Sequence, residues 1–295
     1  MLPPDYPADY SNYTRVNGRQ MHFLEAGKDK AEAVVMVHGN PSWSLYYRGL
    51  FNALKDQYHC VVPDHVGMGL SEKPGDDYSF TLKQRVDDLD ALLTELNIKE
   101  NLTLIVHDWG GMIGLAYATR YPERIKRLVI SNTAGFLIPA GKQIPWQLKL
   151  SRTPILGKLA IQGFNGFCRG AVKDCVTRRP MQADVAAAYM APHDSWAHRL
   201  SVLRFVEDIP LSSTHVSYEM VKNVDDHLQQ FASLPMLICW GMNDFVFDKD
   251  FLAEWKRRFP DAEYHEYDAG HYLLEDAGDE VIPVIKEFLQ QHPLP

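Results

Sequence analysis

VHDWGG, at residues 106–111, joins an apolar run that ends at Val106 to a second apolar segment that begins at Met112. An apolar strand, a tight turn and a following helix form a nucleophile elbow, which holds one side chain in the open above a sheet. The two glycines fit the crowded helix side of such a turn. The residue at the tip is Asp108, so the sequence predicts a carboxylate nucleophile.

Strand-like and helix-like segments alternate on both sides of this turn. The predicted strands are short and almost wholly apolar, which is typical of a parallel sheet covered on both faces. The sequence therefore predicts the α/β class, with a mainly parallel sheet and helices on both faces. The predicted strands lie at 34–38, 59–63, 102–107, 127–131, 236–240 and 263–267. The predicted helices lie at 44–58, 82–96, 110–121, 250–259 and 279–291.

A long segment without a convincing strand separates the predicted strand at 127–131 from the next one. We predict a helical cap, inserted over the carboxyl ends of the strands, where the sites of α/β proteins lie. The predicted core comprises 1–135 and 226–295, and the predicted cap 136–225. The alternative is a separate helical domain. A cap is favoured because the sheet resumes afterwards with an acid loop and a histidine loop.

Composition restricts the class of protein. The chain has 295 residues and a formal net charge of −8. This length fits one domain with an insertion, and the negative charge argues against nucleic acid or an anionic membrane as partner. We find no leader peptide and no apolar run of about 18 residues, so we expect a soluble cytoplasmic protein.

The four cysteines do not indicate a metal site. Cys60 and Cys239 lie in apolar strand-like runs and are expected to be buried thiols. Cys168 and Cys175 lack the paired spacing of a zinc site. No other cluster has ligand spacing, so neither a metal nor an organic cofactor is expected.

Two later loops contain candidate partners for Asp108. GMNDFVFD places Asp244 just after a predicted strand, and DAGHYLLED places His271 just after the next one. Nucleophile, acid and histidine follow in the order that this scaffold requires. A lone loop Asp or His is usually a solvated polar residue, but three in this order favour a catalytic set. Asp248 is a rival for the acid, although it fits better as the cap of the next helix.

Two candidate donors flank Asp108. In such a fold the backbone N–H groups of Asn40 and Trp109 would form the oxyanion hole. Their side-chain amide and indole N–H groups are also donors for a departing anion. The alternatives are a turn role for Asn40 before Pro41 and a packing role for Trp109. His107 is expected to be buried and hydrogen-bonded rather than catalytic.

A carboxylate at the elbow changes the expected reaction. Whereas serine attacks acyl carbon, a carboxylate can displace a leaving group at saturated carbon and form an alkyl ester. Asp108 therefore points to a substrate carbon that bears a halide, an epoxide oxygen or a strained lactone oxygen. In a hydrolytic cycle, water activated by His271 would attack the ester, with Asp244 orienting the imidazole.

Several stretches together resemble a known family. HGNPSW, PDHVGMGLSEKP, HDWGG and the two late loops are similar to the haloalkane dehalogenases of the α/β-hydrolase fold, over nearly the whole chain. The resemblance implies that Asn40 and Trp109 are a halide-binding pair. In one branch the acid is often a glutamate after the preceding strand, where this chain has Asn132. The acid assignment therefore moves to Asp244, as in the other branches.

A closer resemblance is to the β-lactone decarboxylases of bacterial long-chain olefin biosynthesis. It is carried by NTAGFLIPAGKQIPWQ, APHDSWAHRLSVLRFVEDIPL and DFVFDKDFL, which include cap sequence. It implies conversion of a cis-3,4-dialkyl β-lactone to a cis-alkene and CO₂, and other enzymes of that biosynthesis as partners. Attack of the carboxylate at the ring carbon and attack at the carbonyl carbon both remain open.

Three alternatives remain beside this reading. A haloalkane dehalogenase would use the same residues to release halide. An epoxide hydrolase would also use Asp108, and it needs two cap tyrosines, for which Tyr189 and Tyr218 are the candidates. A non-enzymatic ligand receptor would require an idle triad.

The aromatic residues of the predicted cap are candidates for a hydrophobic substrate pocket. The sequence does not separate rings that line a pocket from rings that pack behind it. The candidates are Phe136, Trp146, Tyr189, Trp196 and Phe205.

Overall fold

The computed structural model describes residues 2–139, 141–142 and 146–294, without the side chains of 146 and 147, and contains one eight-stranded sheet. Its strands in chain order are β1 (Ser11–Val16), β2 (Arg19–Ala26), β3 (Ala33–Val37), β4 (His59–Pro63), β5 (Leu102–His107), β6 (Ile125–Ser131), β7 (Met236–Gly241) and β8 (Glu263–Tyr267). Their order across the sheet is β1-β2-β4-β3-β5-β6-β7-β8. Strands β3 to β8 are parallel to one another. At one edge of the sheet, β2 pairs antiparallel with both β4 and β1.

Both faces of the sheet are apolar because successive side chains of a strand point to opposite faces. In β3, Val35 and Val37 belong to one hydrophobic cluster, whereas Val34 and Met36 belong to the other. Each face must therefore be covered by helices, as the apolar strand sequences predicted.

The helices cover the two faces as two groups. The first group (α2, α3, α9 and α10) contributes to the cluster that contains Val35, and the second (α1 and α11) to the cluster that contains Val34. The helices are α1 (Arg48–Leu54), α2 (Leu82–Glu95), α3 (Trp109–Arg120), α4 (Trp146–Ser151), α5 (Leu156–Lys158), α6 (Gly166–Asp174), α7 (Ala183–Met190), α8 (Leu200–Glu207), α9 (Tyr218–His227), α10 (Lys249–Arg258) and α11 (Leu273–Gln291).

Three features differ from the expectation. The predicted helix at 44–58 is a 3₁₀ turn at Ser44–Tyr47 followed by α1, which ends at Leu54. The hairpin of β1 and β2 was not predicted, although Asn17 and Gly18 at its turn both have positive φ (48° and 85°), as an Asn-Gly hairpin turn requires. Helix α11 begins at Leu273 rather than near 279, because a helical first turn joins the predicted helix across non-helical Ala277.

The segment between β6 and β7 contains helices α4 to α9 and no strand among its described residues. Helix α9 packs against core helix α3, so the predicted cap boundary at 225 falls within a helix that rests on the core. The division into core and cap therefore stays a prediction. Of the helices described, none combines the length and the apolar character needed to cross a bilayer.

Candidate active site

Five strand ends bring the candidate residues together. Asn40 follows β3, Asp108 follows β5, Asn132 follows β6, Asp244 follows β7 and His271 follows β8. These five strands are neighbours in the sheet and run in the same direction. Their carboxyl ends therefore meet at one edge, where the sites of parallel α/β sheets lie.

The turn after β5 places Asp108 at the N-terminus of α3. Its backbone is in a strained region, with φ 51° and ψ −131°, and its carbonyl accepts the N–H of Gly111 at 2.9 Å. A side chain at Gly39 would overlap the Asp108 carboxylate, and one at Gly110 would overlap the carbonyl of Val37. Glycine is thus required on both sides of the elbow for the close approach of its backbone.

The Asp108 carboxylate is buried but well supplied with donors. Its Oδ2 accepts the backbone N–H of Asn40 at 2.6 Å, and the backbone N–H of Trp109 also donates to it. Its Oδ1 lies 3.9 Å from Nε2 of His271. Burial raises the pKa of Asp108, while the charge of His271 and the two N–H groups counteract this rise. The N-terminus of α3 also favours the ionised form.

His271 is held by Asp244. Its Nδ1 lies 2.7 Å from Oδ2 of Asp244, and both side chains are buried. Oδ1 of Asp244 accepts the backbone N–H groups of Val246 and Phe247 at 2.7 and 3.1 Å. Burial lowers the pKa of His271, but the charge and hydrogen bond of Asp244 together with the charge of Asp108 outweigh burial, so the net pKa is raised.

The rival acid is engaged elsewhere. Asp248 caps α10 by accepting the backbone N–H of Asp250 at 3.1 Å, and it forms an ion pair with Lys142. The carboxylate that contacts the imidazole of His271 therefore belongs to Asp244.

Asn132 is a supporting residue that the sequence reasoning missed. Its amide donates to Oδ2 of Asp244 and to the carbonyl of Gly241, both at 3.0 Å, and its Oδ1 accepts the Gly241 N–H at 2.8 Å. It thus fixes the loop that carries the acid. Its position after a strand was visible in the sequence, but we read it only as the absence of a glutamate.

His107 lies behind the site rather than in it. It is fully buried, its Nε2–H donates to the carbonyl of His271 at 2.8 Å, and its ring stacks on Tyr46. Burial lowers its pKa well below the ordinary value, so the ring is neutral. His107 therefore fixes the backbone of the histidine loop.

A cavity of about 530 Å³ opens above Asp108, a size typical of a small-molecule site. Asp108, His271, Asn40 and Trp109 contribute to one part of its wall. Most of the remaining lining is apolar and comes from the segment between β6 and β7 and from the loop after β7. It includes Phe136, Leu148, Ile161, Phe167, Val206, Val221 and Phe247.

The side chains of Asn40 and Trp109 both reach this cavity. The Asn40 amide donates to the Val202 carbonyl at 3.3 Å, and its Oδ1 is buried without a partner among the described residues. The Trp109 ring packs against Phe205, with 5.5 Å between ring centroids. Both residues thus flank Asp108 as the sequence predicted, and their action on a leaving group stays a prediction.

The aromatic cap residues require correction. Phe136 lines the cavity, but Tyr189, Trp196 and Phe205 are not part of its described lining. The Tyr189 hydroxyl donates to Glu275 at 2.6 Å, Trp196 is 46% exposed, and Phe205 packs behind Trp109 with the Arg85 guanidinium 3.5 Å from its centroid. The side chain of Trp146 lies outside the described residues.

The two tyrosines needed by an epoxide hydrolase are not placed for that role. Tyr189 points to Glu275, and Tyr218 begins α9; neither contributes to the described lining of the cavity. This arrangement weakens the epoxide reading.

Comparison with known proteins gives one family and two groups of relatives. The alpha/beta hydrolase fold family matches residues 32–278. A cis-3-alkyl-4-alkyloxetan-2-one decarboxylase from Shewanella oneidensis is 54% identical over 93% of this chain and 86% of its own length. A protein of the same name from Xanthomonas campestris pv. campestris is 46% identical over 94% of each chain.

The second group consists of haloalkane dehalogenases. Haloalkane dehalogenase 2 from Mycobacterium tuberculosis is 28% identical over 97% of this chain and 96% of its own length. The solved structure of a haloalkane dehalogenase loop variant from Bradyrhizobium elkanii matches with a TM-score of 0.83, at 24% identity, over 95% of this chain and 96% of that one. At this identity the likeness concerns the fold alone.

Proposed function

The chain belongs to the alpha/beta hydrolase family, and from this premise we propose that it decarboxylates a cis-3,4-dialkyl β-lactone to a cis-alkene and CO₂. The observation that carries the proposal is the 54% identity to a cis-3-alkyl-4-alkyloxetan-2-one decarboxylase over most of the chain. The site supports it, because a carboxylate nucleophile lies beneath an apolar cavity suited to alkyl chains.

In the first proposed step, Asp108 attacks the ring carbon that bears the ring oxygen. The carbon–oxygen bond of the ring breaks, the centre inverts, and a free carboxylate remains on the neighbouring carbon. Oδ2 of Asp108 is engaged by the Asn40 N–H, so Oδ1 is the oxygen that forms the new bond. The side-chain donors of Asn40 and Trp109 hold the departing carboxylate oxygen.

In the second step, the substrate carboxylate leaves as CO₂ and its bonding electrons form the double bond. The ester bond to Asp108 breaks at the same time, and the aspartate is released unchanged. Inversion followed by anti elimination converts a cis lactone to a cis alkene. No water is consumed, and His271 in its cationic form stabilises Asp108 as it departs as an anion. Attack at the carbonyl carbon, giving a mixed anhydride, is the competing route.

Asp244 and Asn132 act on this chemistry through His271. The raised pKa of His271 favours the imidazolium, and an imidazolium does not activate water. The catalytic set we propose is thus Asp108, His271 and Asp244, with the histidine serving as a cation rather than as a base.

Haloalkane hydrolysis is the second candidate function. The observation that favours it is the pair of side chains, Asn40 and Trp109, which both line the cavity beside Asp108 as a halide-binding pair would. In that reaction the same nucleophile forms an alkyl ester, and neutral His271 must activate water to release the alcohol.

The experiment that separates the two functions uses both substrates on the same preparation. Purified protein is incubated with a cis-3,4-dialkyl β-lactone and, separately, with a bromoalkane, while olefin, CO₂ and bromide are measured. We expect olefin and CO₂ at a rate well above bromide release. Efficient bromide release with an untouched lactone, or hydrolysis of the lactone to a hydroxy acid, would refute the proposal.

The proposed reaction also determines the neighbours of the enzyme. The substrate is a β-lactone with two alkyl chains. A reaction that closes the four-membered lactone ring must therefore supply it. We place this step in olefin biosynthesis in the cytoplasm.

A further inference from the structure

Part of the cavity wall has an outer face that the proposed reaction does not use. Residues of the segment 146–164 line the cavity with Leu148 and Ile161, while other apolar side chains of the segment point to solvent. We define the cap patch as these outward residues together with the neighbouring Trp196. Its members and their exposed fractions are Ile155 (73%), Leu156 (60%), Leu159 (44%), Phe164 (74%) and Trp196 (46%).

The members of the cap patch lie near one another in the fold, and a Cβ at Gly163 would be 3.7 Å from the Trp196 ring and 4.0 Å from the Leu159 side chain. Leu156 and Leu159 lie on one helical stretch, and the Phe164 N–H donates to the Leu159 carbonyl at 3.0 Å. The amide of Gln162 in the same stretch donates to the carbonyl of Trp196 at 3.1 Å. Contiguous exposed apolar side chains of this kind mark an interaction site.

The charge around the patch is opposite in sign to that of the whole chain. Residues 137–173 contain six Lys and Arg and no Asp or Glu, in a protein whose net charge is −8. Lys149, Lys158, Arg169 and Lys173 are exposed, and none has a carboxylate partner in the described part of the chain. Two acids border this segment: Asp174 follows it directly and is exposed, and Asp194 is hydrogen-bonded to His198.

We propose that the cap patch docks on the surface of an anionic lipid bilayer. Exposed Ile, Leu, Phe and Trp side chains enter the boundary between headgroups and acyl chains, and the surrounding lysines and arginines pair with anionic headgroups. The negative net charge of the chain argued against such a surface. Salt, however, largely screens charges that lie more than about 10 Å from the contact, so the charge near the patch decides binding.

The position of the patch relates docking to substrate entry. Leu150 is partly exposed and also lines the cavity, and its carbonyl would lie 3.1 Å from a Cβ at Gly157, so the cavity wall reaches the outside beside Leu156 of the patch. A docked protein would receive an apolar substrate from the bilayer without its passage through water. This is contact at the membrane surface rather than a membrane span.

The test is co-sedimentation of the whole protein with vesicles of phosphatidylcholine alone and with vesicles that also contain phosphatidylglycerol. We expect at least tenfold tighter binding to the anionic vesicles, weaker binding in high salt, and a blue shift of the protein's tryptophan fluorescence, to which Trp196 contributes. The double variant Ile155→Ser/Phe164→Ser should lose binding to both vesicles. Lys149→Glu/Lys158→Glu should lose only the anionic preference, at roughly fivefold for each removed positive charge.

Matched controls separate docking from folding and from general surface effects. Val216 is as exposed as Phe164 (74%) but lies outside the patch, and Lys99 is exposed just before β5, at the amino ends of the parallel strands. Val216→Ser and Lys99→Glu should bind vesicles like the unaltered protein. Equal binding by patch and control variants, or no binding to either vesicle, would overturn the proposal.

A second copy of this chain is the other occupant that the test can reveal. If analytical ultracentrifugation shows a dimer that Ile155→Ser/Phe164→Ser dissociates, the patch is a subunit interface and the membrane proposal is wrong. The measurement involves no turnover, so it stands apart from the proposed reaction.

Discussion

The substitution Asp244→Asn tests how His271 is used. Asp244 is buried and accepts the Nδ1–H of His271 at 2.7 Å, and among the groups that raise the pKa of that histidine against the effect of burial it contributes most, ahead of Asp108. With asparagine in its place, only the charge of Asp108 still opposes burial, so we expect the pKa of His271 to fall and the neutral imidazole to be favoured. The cation beside Asp108 is then lost.

The expected magnitude follows from the geometry. Nε2 of His271 lies 3.9 Å from Oδ1 of Asp108, and two unit charges at that distance interact by about 4 kcal/mol at an effective dielectric constant of about 20. If between half and all of this helps Asp108 to depart, kcat for olefin formation falls by roughly 30- to 1000-fold. The alkyl ester on Asp108 should then accumulate.

The assay measures olefin by gas chromatography and the ester by intact-protein mass spectrometry, as a mass increase equal to one lactone. Asp248→Asn is the matched control, because it removes a nearby carboxylate that caps α10 and pairs with Lys142. This control should lower the free energy of unfolding by about 1 kcal/mol. Its kcat should stay within about twofold of the value for the unaltered protein. A folded Asp244→Asn variant with unaltered kcat and no adduct, or a larger kcat loss in Asp248→Asn, would refute the reasoning.

Three further predictions concern the same site. Asp108→Ala should abolish turnover of any substrate while circular dichroism and thermal unfolding show an intact fold, and residual activity would contradict its role as nucleophile. Lactone turnover should fall at low pH as Asp108 is protonated, and the fall should begin above the usual carboxyl range because burial raises the pKa of Asp108. Any bromide release should require the higher pH at which His271, whose pKa is also raised, is neutral. Coincident pH profiles for the two reactions would count against the cationic role of His271. Gly39→Ala should lower kcat/KM by at least tenfold, because its Cβ overlaps the Asp108 carboxylate, and wild-type kinetics in this variant would show that the elbow yields.

The catalytic end of the sheet was predictable because its strands have a strong signal. Strands β4, β5 and β8 have the predicted bounds, since each is a short run bounded by turn residues. Once the strands are parallel and adjacent, residues just after them must converge. Asp108, Asp244 and His271 could therefore be assigned to one site before any coordinates were known.

The pocket aromatics could not be predicted for a geometric reason. On a helix, one residue rotates the side-chain direction by about 100°, so lining and packing residues alternate within a single turn. Phe205 and Val206 are neighbours in α8, yet Phe205 packs on Trp109 while Val206 lines the cavity. The role of Asn132 was hidden for another reason, because its partners Gly241, at the end of β7, and Asp244, in the loop after it, lie about a hundred residues away in the sequence.

The order of the strands in the sheet also determines at which stage of folding the site is complete and the protein can become active. The Asn40–Asp108 contact joins positions 68 residues apart, and the Asn132–Asp244 contact joins positions 112 apart. Such long-range contacts form slowly because loop closure precedes them. His271 follows β8, an edge strand, so a partly folded chain that lacks this strand has Asp108 in place without the imidazole. Refolding should therefore restore compact secondary structure before it restores activity.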